Sequence, residues 1–400
     1  MSFLYKSASG KTVTHGSSSS LDTFRLCRRK FKLSKIDGWR EKAKKASLEF
    51  GKCVESAIQF YHDNGLKSGD ATSEFERLWL KFSEIPDLKY TDQEKDFWTL
   101  MTMGREMTRL YEVLLPTLPV RNPKWQLQFL KPLWPGDPTY GSLEFMAYID
   151  LLSTLEDGTR TIFDIKTAAK PLDVTPGLLS MDGQLRKYSW VTGIRNVGFL
   201  NFVKAEPEGF KAGYKVTLLE DTLDWKAGAP LTVVKFVAPK AAVEATETTK
   251  AAPEVPWLMW LASDETVQLM DKELDQISGK GATEKKEQVY ARYLSEGKLC
   301  AVPRSAVTKC RLQCVQAVIP EEEIAEIGQA IGTDMIAMHS AAKSGCYPQD
   351  GGVRFPNAIC SWCSFNPICL KDPARRDETL VQLNPTAPEK DWLDELEDSE

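Results

Sequence analysis

Residues 146–171 read MAYIDLLSTLEDGTRTIFDIKTAAKP and contain two strand-like segments. The first segment carries Asp150, and the second carries Asp164 and Lys166. Side chains two residues apart in a strand project to the same face, so Asp164 and Lys166 point the same way. The stretch therefore predicts a β-hairpin with acidic and basic groups in its middle.

The position of Asp150 depends on the register of this hairpin, because a shift of one residue turns a whole strand over. A two-residue turn at Asp157 and Gly158 would pair residue 150 with 165 and place Asp150 on the opposite face. A three-residue loop from Glu156 to Gly158 would pair residue 150 with 164. Such loops need a left-handed residue, which glycine supplies. We predict the three-residue loop, with both aspartates on one face.

Two carboxylates and a lysine on one face can form a site for a hard divalent cation. Mg²⁺ and Mn²⁺ prefer oxygen ligands and keep bound water, which can attack a phosphodiester. The lysine can orient or deprotonate that water, or offset the charge on the phosphate. The alternative is a surface hairpin with scattered charges, because D-x-K alone is a common sequence.

The rest of the chain reads as helices followed by strands and helices. Helical patterns occur in SSSSLDTF (17–24), LEFGKCVESAIQFYH (48–62) and DQEKDFWTLMTMGREMTRLYEVLLP (92–116). Further strands are predicted at 124–134 and 196–205, and a helix at 181–193. This order predicts an α/β (α+β) fold with a mixed central sheet flanked by helices and a helical N-terminal part.

Composition divides the chain into five predicted parts. These are an arm (1–19), a core (20–205), an insertion or helical region (206–350), a cysteine-containing segment (351–380) and an acidic tail (381–400). Residues 240–256, KAAVEATETTKAAPEVP, have few large apolar side chains and predict a flexible loop. Residues 257–277 predict a return to helix.

Charge is unevenly distributed along a chain whose formal net charge is −5. Residues 24–46 contain ten Lys/Arg and two acids, whereas residues 389–400 contain seven acids and one Lys. A local basic stripe can bind a nucleic-acid backbone in an acidic protein, although a solvated helix face is the alternative. No apolar run is long enough for a membrane span, and the N-terminus lacks a signal-peptide pattern, so we expect a cytoplasmic protein with no membrane partner.

An ordered set of motifs resembles the RecB-like branch of the PD-(D/E)XK nuclease superfamily. The matching residues are Ser20, Phe24, Cys27, Gly51, Glu55, Asp150, Asp164, Lys166, Thr167, Gln184 and Tyr188. They follow the order S-x-x-x-F-x-x-C, G-x-x-x-H, G-x-x-D, D-x-K-T and Q-x-x-x-Y. The resemblance covers 20–205 and resumes at 360–369, and it implies a restriction-endonuclease-like core.

The resemblance also implies the roles of the site residues. Asp150, Asp164 and the backbone carbonyl of Ile165 would bind Mg²⁺ or Mn²⁺, and Lys166 would be catalytic. The pair Gln184 and Tyr188, one helical turn apart, would flank the site and contact DNA or the lysine.

Two positions depart from the family pattern. Glu55 stands where a histidine ligand is usual, but a carboxylate suits Mg²⁺ and other branches use Glu there. His62, seven residues later and near the same helix face, is the fallback ligand. Ala147 replaces the glycine of G-x-x-D.

Cys360, Cys363 and Cys369 form a C-x2-C-x5-C arrangement near the C-terminus. Family members with an iron–sulfur cluster, similar to the AddB nuclease domain and the exonucleases of CRISPR adaptation and phages, place one cysteine before the core and three after it. With Cys27, the resemblance implies four ligands for a 4Fe–4S cluster. The alternatives are zinc, with Cys310 and Cys314 as a second pair beside Cys360 and Cys363, and free thiols.

The resemblance favours a metal-dependent DNA exonuclease that processes DNA ends in recombination, repair, phage replication or CRISPR adaptation. The predicted DNA-binding residues of the basic stripe are Arg25, Arg28, Arg29, Lys30 and Lys32. The sequence contains no phosphate-binding loop, so the chain either acts alone on DNA ends or relies on a separate motor. A helicase or a single-strand-binding protein is the candidate partner, with the acidic tail as its contact. A non-catalytic DNA-binding subunit and an endonuclease are the alternatives.

Overall fold

The computed structural model describes residues 4–6, 12–85, 88–91, 94–137, 139–141, 143–237, 258–277, 286–348, 353–354 and 357–383. The predicted flexible loop at 240–256 lies outside these residues, as does the predicted acidic tail from residue 384 onward.

The strands of the described residues are β1 (Leu4–Lys6), β2 (Thr12–Ser17), β3 (Trp39–Glu41), β4 (Lys124–Pro132), β5 (Leu143–Thr154), β6 (Arg160–Ala168), β7 (Asn196–Val203), β8 (Lys215–Leu218), β9 (Pro230–Val237), β10 (Leu258–Ala262), β11 (Cys300–Pro303), β12 (Val307–Thr308), β13 (Arg311–Val318), β14 (Val353–Arg354), β15 (Asn357–Ala358) and β16 (Leu380–Gln382). The α-helices are α1 (Ser18–Leu26), α2 (Arg28–Phe31), α3 (Ala46–Asp63), α4 (Asp70–Leu80), α5 (Phe97–Leu114), α6 (Gly183–Thr192), α7 (Asp264–Ile277), α8 (Lys286–Ser295), α9 (Glu323–Ser344), α10 (Asn366–Cys369) and α11 (Pro373–Thr379).

The central sheet has the strand order β1-β2-β5-β6-β7-β13, and β4 also pairs with β5. The pairs β2–β5 and β6–β7 are parallel, whereas β5–β6 and β7–β13 are antiparallel. Helices α3, α4 and α5 contribute to one hydrophobic cluster that includes sheet residues, and α1, α6 and α9 to another. The predicted mixed sheet flanked by helices is therefore confirmed.

Helix α3 shows why one face of the sheet is covered in this way. Its buried residues Phe50, Cys53, Val54, Ala57 and Ile58 recur at intervals of three and one, which gives an apolar stripe along one side of a helix. This stripe packs in the same cluster as α4, α5 and the sheet. The opposite side of α3 is mostly polar, with Leu48 exposed among its polar residues.

A second sheet, β11-β10-β9-β8-β12, occupies part of the predicted helical region 206–350. The helix predicted from residue 257 is wrong at its beginning, because residues 258–262 form β10 and the helix starts at Asp264. The short apolar run LMWLA gives no periodicity that separates a strand from a buried helix. β13, from the same region, joins the central sheet instead.

We expect Gly104→Ala to destabilise the fold by about 1–3 kcal/mol through overpacking. A Cβ on Gly104 in α5 would lie 1.9 Å from Cζ of Phe75 in α4, and Phe75 is fully buried. Urea unfolding of both proteins measures the difference. Gly183→Ala is the control, because a Cβ there meets no heavy atom within 4 Å. Equal unfolding midpoints for wild type and Gly104→Ala would contradict the contact.

Candidate active site

The β5–β6 hairpin has the predicted register. Leu151 pairs with Phe163, and Leu155 N donates to Thr159 O at 2.9 Å across a three-residue loop. Gly158 has φ +83°, the left-handed conformation that this loop requires. Asp150 therefore lies at the position opposite Asp164.

Asp150 lies where β5 separates from β6. The paired residues of the two strands end at Leu151 and Phe163, and β5 continues alongside β2 from Leu143 to Met146. In place of a backbone bond, Oδ2 of Asp150 accepts a hydrogen bond from Ile165 N at 3.0 Å. The end of the strand pairing thus leaves room for side chains between the two strands.

Asp164 is fully buried and is held by side chains from its own strand and from α6. Its Oδ1 accepts from Nε2 of Gln184 at 2.6 Å, and its Oδ2 lies 2.5 Å from Nζ of Lys166. Gln184 Nε2 also donates to the hydroxyl of Tyr188 at 2.6 Å. Asp182 caps α6 by accepting from Gln184 N at 2.9 Å. The structure therefore brings the predicted catalytic residues into one hydrogen-bonded group.

Glu55 reaches this group from α3. A Cβ on Gly51, one turn earlier, would lie 3.1 Å from Oγ1 of Thr167, so glycine allows α3 to approach β6 closely. Nε2 of Gln126 donates to Oε1 of Glu55. Burial, followed by the charges of Asp150 and Asp164, raises the pKa of Glu55 to about 8.

His62 lies on the same helix as Glu55 but contacts other residues. Its Nε2 lies 2.7 Å from the hydroxyl of the buried Tyr111, and its ring centroid lies 5.4 Å from that of Trp125. Burial lowers the pKa of His62 to about 4. Among the two candidate ligands on α3, Glu55 is the one placed in electrostatic contact with the aspartates.

The carboxylates repel one another in a buried environment. Burial raises the pKa of Asp150, and burial together with the Asp150 charge raises that of Asp164 to about 7. Burial lowers the pKa of Lys166, but the charges of Asp164 and Asp150 outweigh it and hold that pKa above its ordinary value. Three acids and one lysine leave an excess of negative charge that a divalent cation would neutralise.

The donor set fits a hard divalent cation. Apart from the ammonium of Lys166, Oδ2 of Asp164 has no hydrogen-bonding partner among the described residues. No group of three or more His, Cys, Asp or Glu side chains is arranged as a metal site within those same residues. Each carboxylate of the set accepts a hydrogen bond from the protein, Glu55 from Gln126, Asp164 from Gln184 and Asp150 from Ile165 N.

We expect Glu55→Gln to raise the melting temperature of the metal-free protein above that of wild type at pH 8. At pH 5 we expect a smaller increase. A carboxyl group with a raised pKa in the folded state takes up a proton on folding, so the free energy of unfolding falls as the pH rises from about 4.5 to about 8. Glutamine carries no such charge. Melting temperatures in EDTA at both pH values measure the effect, with Glu84→Gln at an exposed site as the control. A pH-independent difference would contradict the burial of Glu55.

The predicted basic helix is interrupted at Cys27. Cys27 is extended, with φ −166° and ψ 114°, and ends α1. Its Sγ then accepts from Lys30 N at 3.4 Å and caps α2. Leu21, Phe24 and Phe31 share a helical spacing and are buried, but they lie on two short helices rather than one.

Two of the five predicted DNA-binding residues are held in ion pairs. Arg25 lies 2.5 Å from Asp334 of α9, and Lys32 lies 2.6 Å from Asp37. The remaining three, Arg28, Arg29 and Lys30, lie in the first turn of α2 next to Cys27.

The four predicted cluster ligands are half-buried, and within the described residues they are not arranged as a metal-binding group. Burial raises the pKa of Cys369, Arg29 opposes this shift, and the neighbouring thiols of Cys363, Cys27 and Cys360 add to it. Cys363 and Cys369 pack against a small hydrophobic cluster of Leu33, Phe365 and Leu380.

The alternative zinc pairing is not formed. Cys310 is 1 % exposed and belongs to the hydrophobic cluster of α3, α4 and α5, and Cys314 packs against that cluster. Cys363 and Cys369 belong to a different cluster. The order of the cysteines along the chain gave no indication of this separation.

Among the comparisons with known proteins, a family model matches most of the chain. The family model described as "PD-(D/E)XK nuclease superfamily" matches residues 15–370. A solved structure described as "Crystal structure of SSO0001" is 13 % identical, with 46 % of this chain and 70 % of that chain covered and a TM-score of 0.18, which is too low to carry an argument. No curated protein matches the chain. In the part of the chain that the structure describes, no helix has the length and apolar character needed to cross a bilayer.

Proposed function

Since the chain belongs to the PD-(D/E)XK nuclease superfamily, we propose that it is a metal-dependent DNA exonuclease that acts at DNA ends. The observation that carries this proposal is the group of Asp150, Asp164 and Lys166, with Asp164 buried, at the point where β5 leaves β6. Recombination, repair, phage replication and CRISPR adaptation are all processes that such an enzyme serves.

The proposed metal ligands are Glu55, Asp150, Asp164 and the backbone carbonyl of Ile165, with Mg²⁺ or Mn²⁺ as the cation. When bound, the cation would supply a polarised water as nucleophile and charge stabilisation for the phosphate. Oδ2 of Asp164 has only the ammonium of Lys166 as a partner among the described residues, and Asp150 is anchored through Ile165 N at 3.0 Å. The anchored aspartate fixes the position of the ligand set relative to β6.

Lys166 is the proposed catalytic cation of the protein itself. Its Nζ lies 2.5 Å from Asp164 and donates to Oε1 of Gln184 at 3.3 Å, so the ammonium is held at the mouth of the site. From there it would orient the attacking water and offset charge on the phosphate. Gln184 and Tyr188, joined at 2.6 Å, keep the lysine and Asp164 in place.

We further propose that Cys27, Cys360, Cys363 and Cys369 hold a 4Fe–4S cluster. The electrostatic influence of the other three thiols on Cys369 and the half-buried positions of all four support this assignment. Four thiolates are the usual ligand set of such a cluster. The proposed DNA-binding residues Arg28, Arg29 and Lys30 directly follow the first ligand, so the cluster would support that surface.

A nuclease assay tests the proposal. End-labelled single- and double-stranded linear DNA and closed circular DNA are incubated with protein in Mn²⁺ or Mg²⁺, and both ends are labelled in turn to give the polarity. We expect linear DNA to be shortened from an end and circles to survive. Cleavage of circles would indicate an endonuclease instead. DNA binding without cleavage in either metal would indicate a non-catalytic subunit, for which a helicase or single-strand-binding partner would be sought.

A further inference from the structure

Strand β4 changes face at Gln126. Trp125 packs against the cluster of α3, α4 and α5, whereas Leu127 and Phe129 pack against the cluster of α1, α6 and α9. Residues two apart in a regular strand share a face, so Trp125 and Leu127 should lie on the same side. Gln126 has φ +47°, a left-handed conformation that side chains other than glycine rarely adopt.

The position of this change is opposite Asp150. Trp125 pairs with Leu151, and Leu127 pairs with Ile149, so Gln126 and Asp150 are the residues between these two pairs. Backbone strain of this kind persists only where the surrounding structure imposes it, and it is concentrated at functional sites. The strain in β4 therefore occurs at the strand position next to the proposed metal site.

The side chain of Gln126 forms a hydrogen bond to a proposed metal ligand. Its Nε2 donates to Oε1 of Glu55, a residue 71 positions earlier on α3. This hydrogen bond links β4 to α3 at the strand position opposite Asp150, so the amide holds the carboxylate of Glu55 beside the proposed metal site.

We propose that Gln126 is a positioning residue that holds the carboxylate of Glu55 beside Asp150 and Asp164 for a divalent cation. The inference rests on the proposed function, because it assigns Gln126 a role toward the metal of that site. Hydrogen-bonding partners of metal ligands orient them, and their loss weakens metal binding by about 10–100-fold.

The test is calorimetric titration of the DNA-free full-length protein with Mn²⁺ alone. Gln126→Gly removes the amide and suits the left-handed backbone, so we expect Mn²⁺ binding about tenfold weaker, with no loss of melting temperature in EDTA. Gln126→Asn also tolerates this backbone, and its shorter side chain should not reach Glu55, so it should behave alike. Gln128→Ala is the control, because the amide of Gln128 contacts Sδ of Met146 at 3.1 Å.

A double-mutant cycle separates positioning from a general structural effect. If Gln126 acts through Glu55, Gln126→Gly should weaken Mn²⁺ binding little further in a Glu55→Gln background. Wild-type affinity in both Gln126 variants, with weakened binding in Glu55→Gln, would overturn the inference and leave the proposed function standing. Additive losses would overturn it as well. If neither Glu55→Gln nor Asp164→Asn alters Mn²⁺ binding, the proposed metal site itself fails and the inference fails with it.

Discussion

We expect Lys166→Met to lower the rate of DNA cleavage by about a thousandfold, within the range for loss of a proton-transfer or charge-stabilising group. Methionine keeps the length of the side chain but removes the ammonium that lies 2.5 Å from Asp164 and bonds Gln184. Single-turnover cleavage of end-labelled DNA in Mn²⁺ measures the rate. DNA affinity in Ca²⁺, measured separately, should change far less.

A matched control exists on the protein surface. Lys226 forms an exposed ion pair with Asp221 at 2.6 Å, so Lys226→Met removes the same chemical group without touching the site. We expect wild-type cleavage from this variant, since exposed ion pairs contribute little. Wild-type cleavage from Lys166→Met as well would show that the catalytic assignment is wrong and would favour the accessory-subunit alternative.

Asp164→Asn tests the same site by removing the negative charge of the residue that pairs with Lys166. Residues that act as a unit give strongly non-additive losses, so the double variant Asp164→Asn/Lys166→Met should be scarcely slower than either single variant. Circular dichroism of each variant establishes that the fold is retained.

Local turn chemistry explains why the centre of the site could be predicted from sequence. Gly158 is the residue of its loop that accepts a left-handed backbone without strain, which selects the three-residue loop. The loop length fixes the register, and the register places Asp150 opposite Asp164. Each step depends on residues close together in the chain.

The role of Gln126 beside the site depends on contacts with distant elements and was not predicted. Nothing in KWQLQFLKP marks Gln126 as left-handed, because Gly, Asn and Asp are the usual residues in that conformation. Its partner Glu55 lies on another element. The helix break at Cys27 was also not predicted, because Phe24 and Phe31 keep a helical spacing across it.

The same limit applies to β10. Its five residues, LMWLA, are apolar enough for either a strand or a buried helix, and pairing with β9 and β11 decides between them. The partner strands β9 and β11 come before and after β10 in the chain. The sequence of β10 itself contains no periodicity that would identify them.

Cys360→Ser should abolish the 4Fe–4S cluster and lower the melting temperature by several degrees, because it removes a proposed link between residue 27 and residues 360–369. Closing so long a loop restricts the unfolded chain. The link is not the sole connection, since β3 pairs with β16 and Leu33 packs with Phe365 and Leu380. We therefore expect the C-terminal segment to loosen rather than detach, with faster proteolysis there and weaker DNA binding through the neighbouring α2.

Anaerobic purification followed by visible absorbance and by iron and sulfide analysis measures cluster content. Cys27→Ser should give the same loss as Cys360→Ser, because each would supply one of four ligands. Cys346→Ser is the control, since Cys346 is an exposed thiol outside the proposed ligand set. A colourless wild-type protein that contains zinc after anaerobic purification would replace the cluster with a zinc site. An equal response of Cys346→Ser and Cys27→Ser would show that the effect comes from thiol loss in general and would contradict the proposed ligand set.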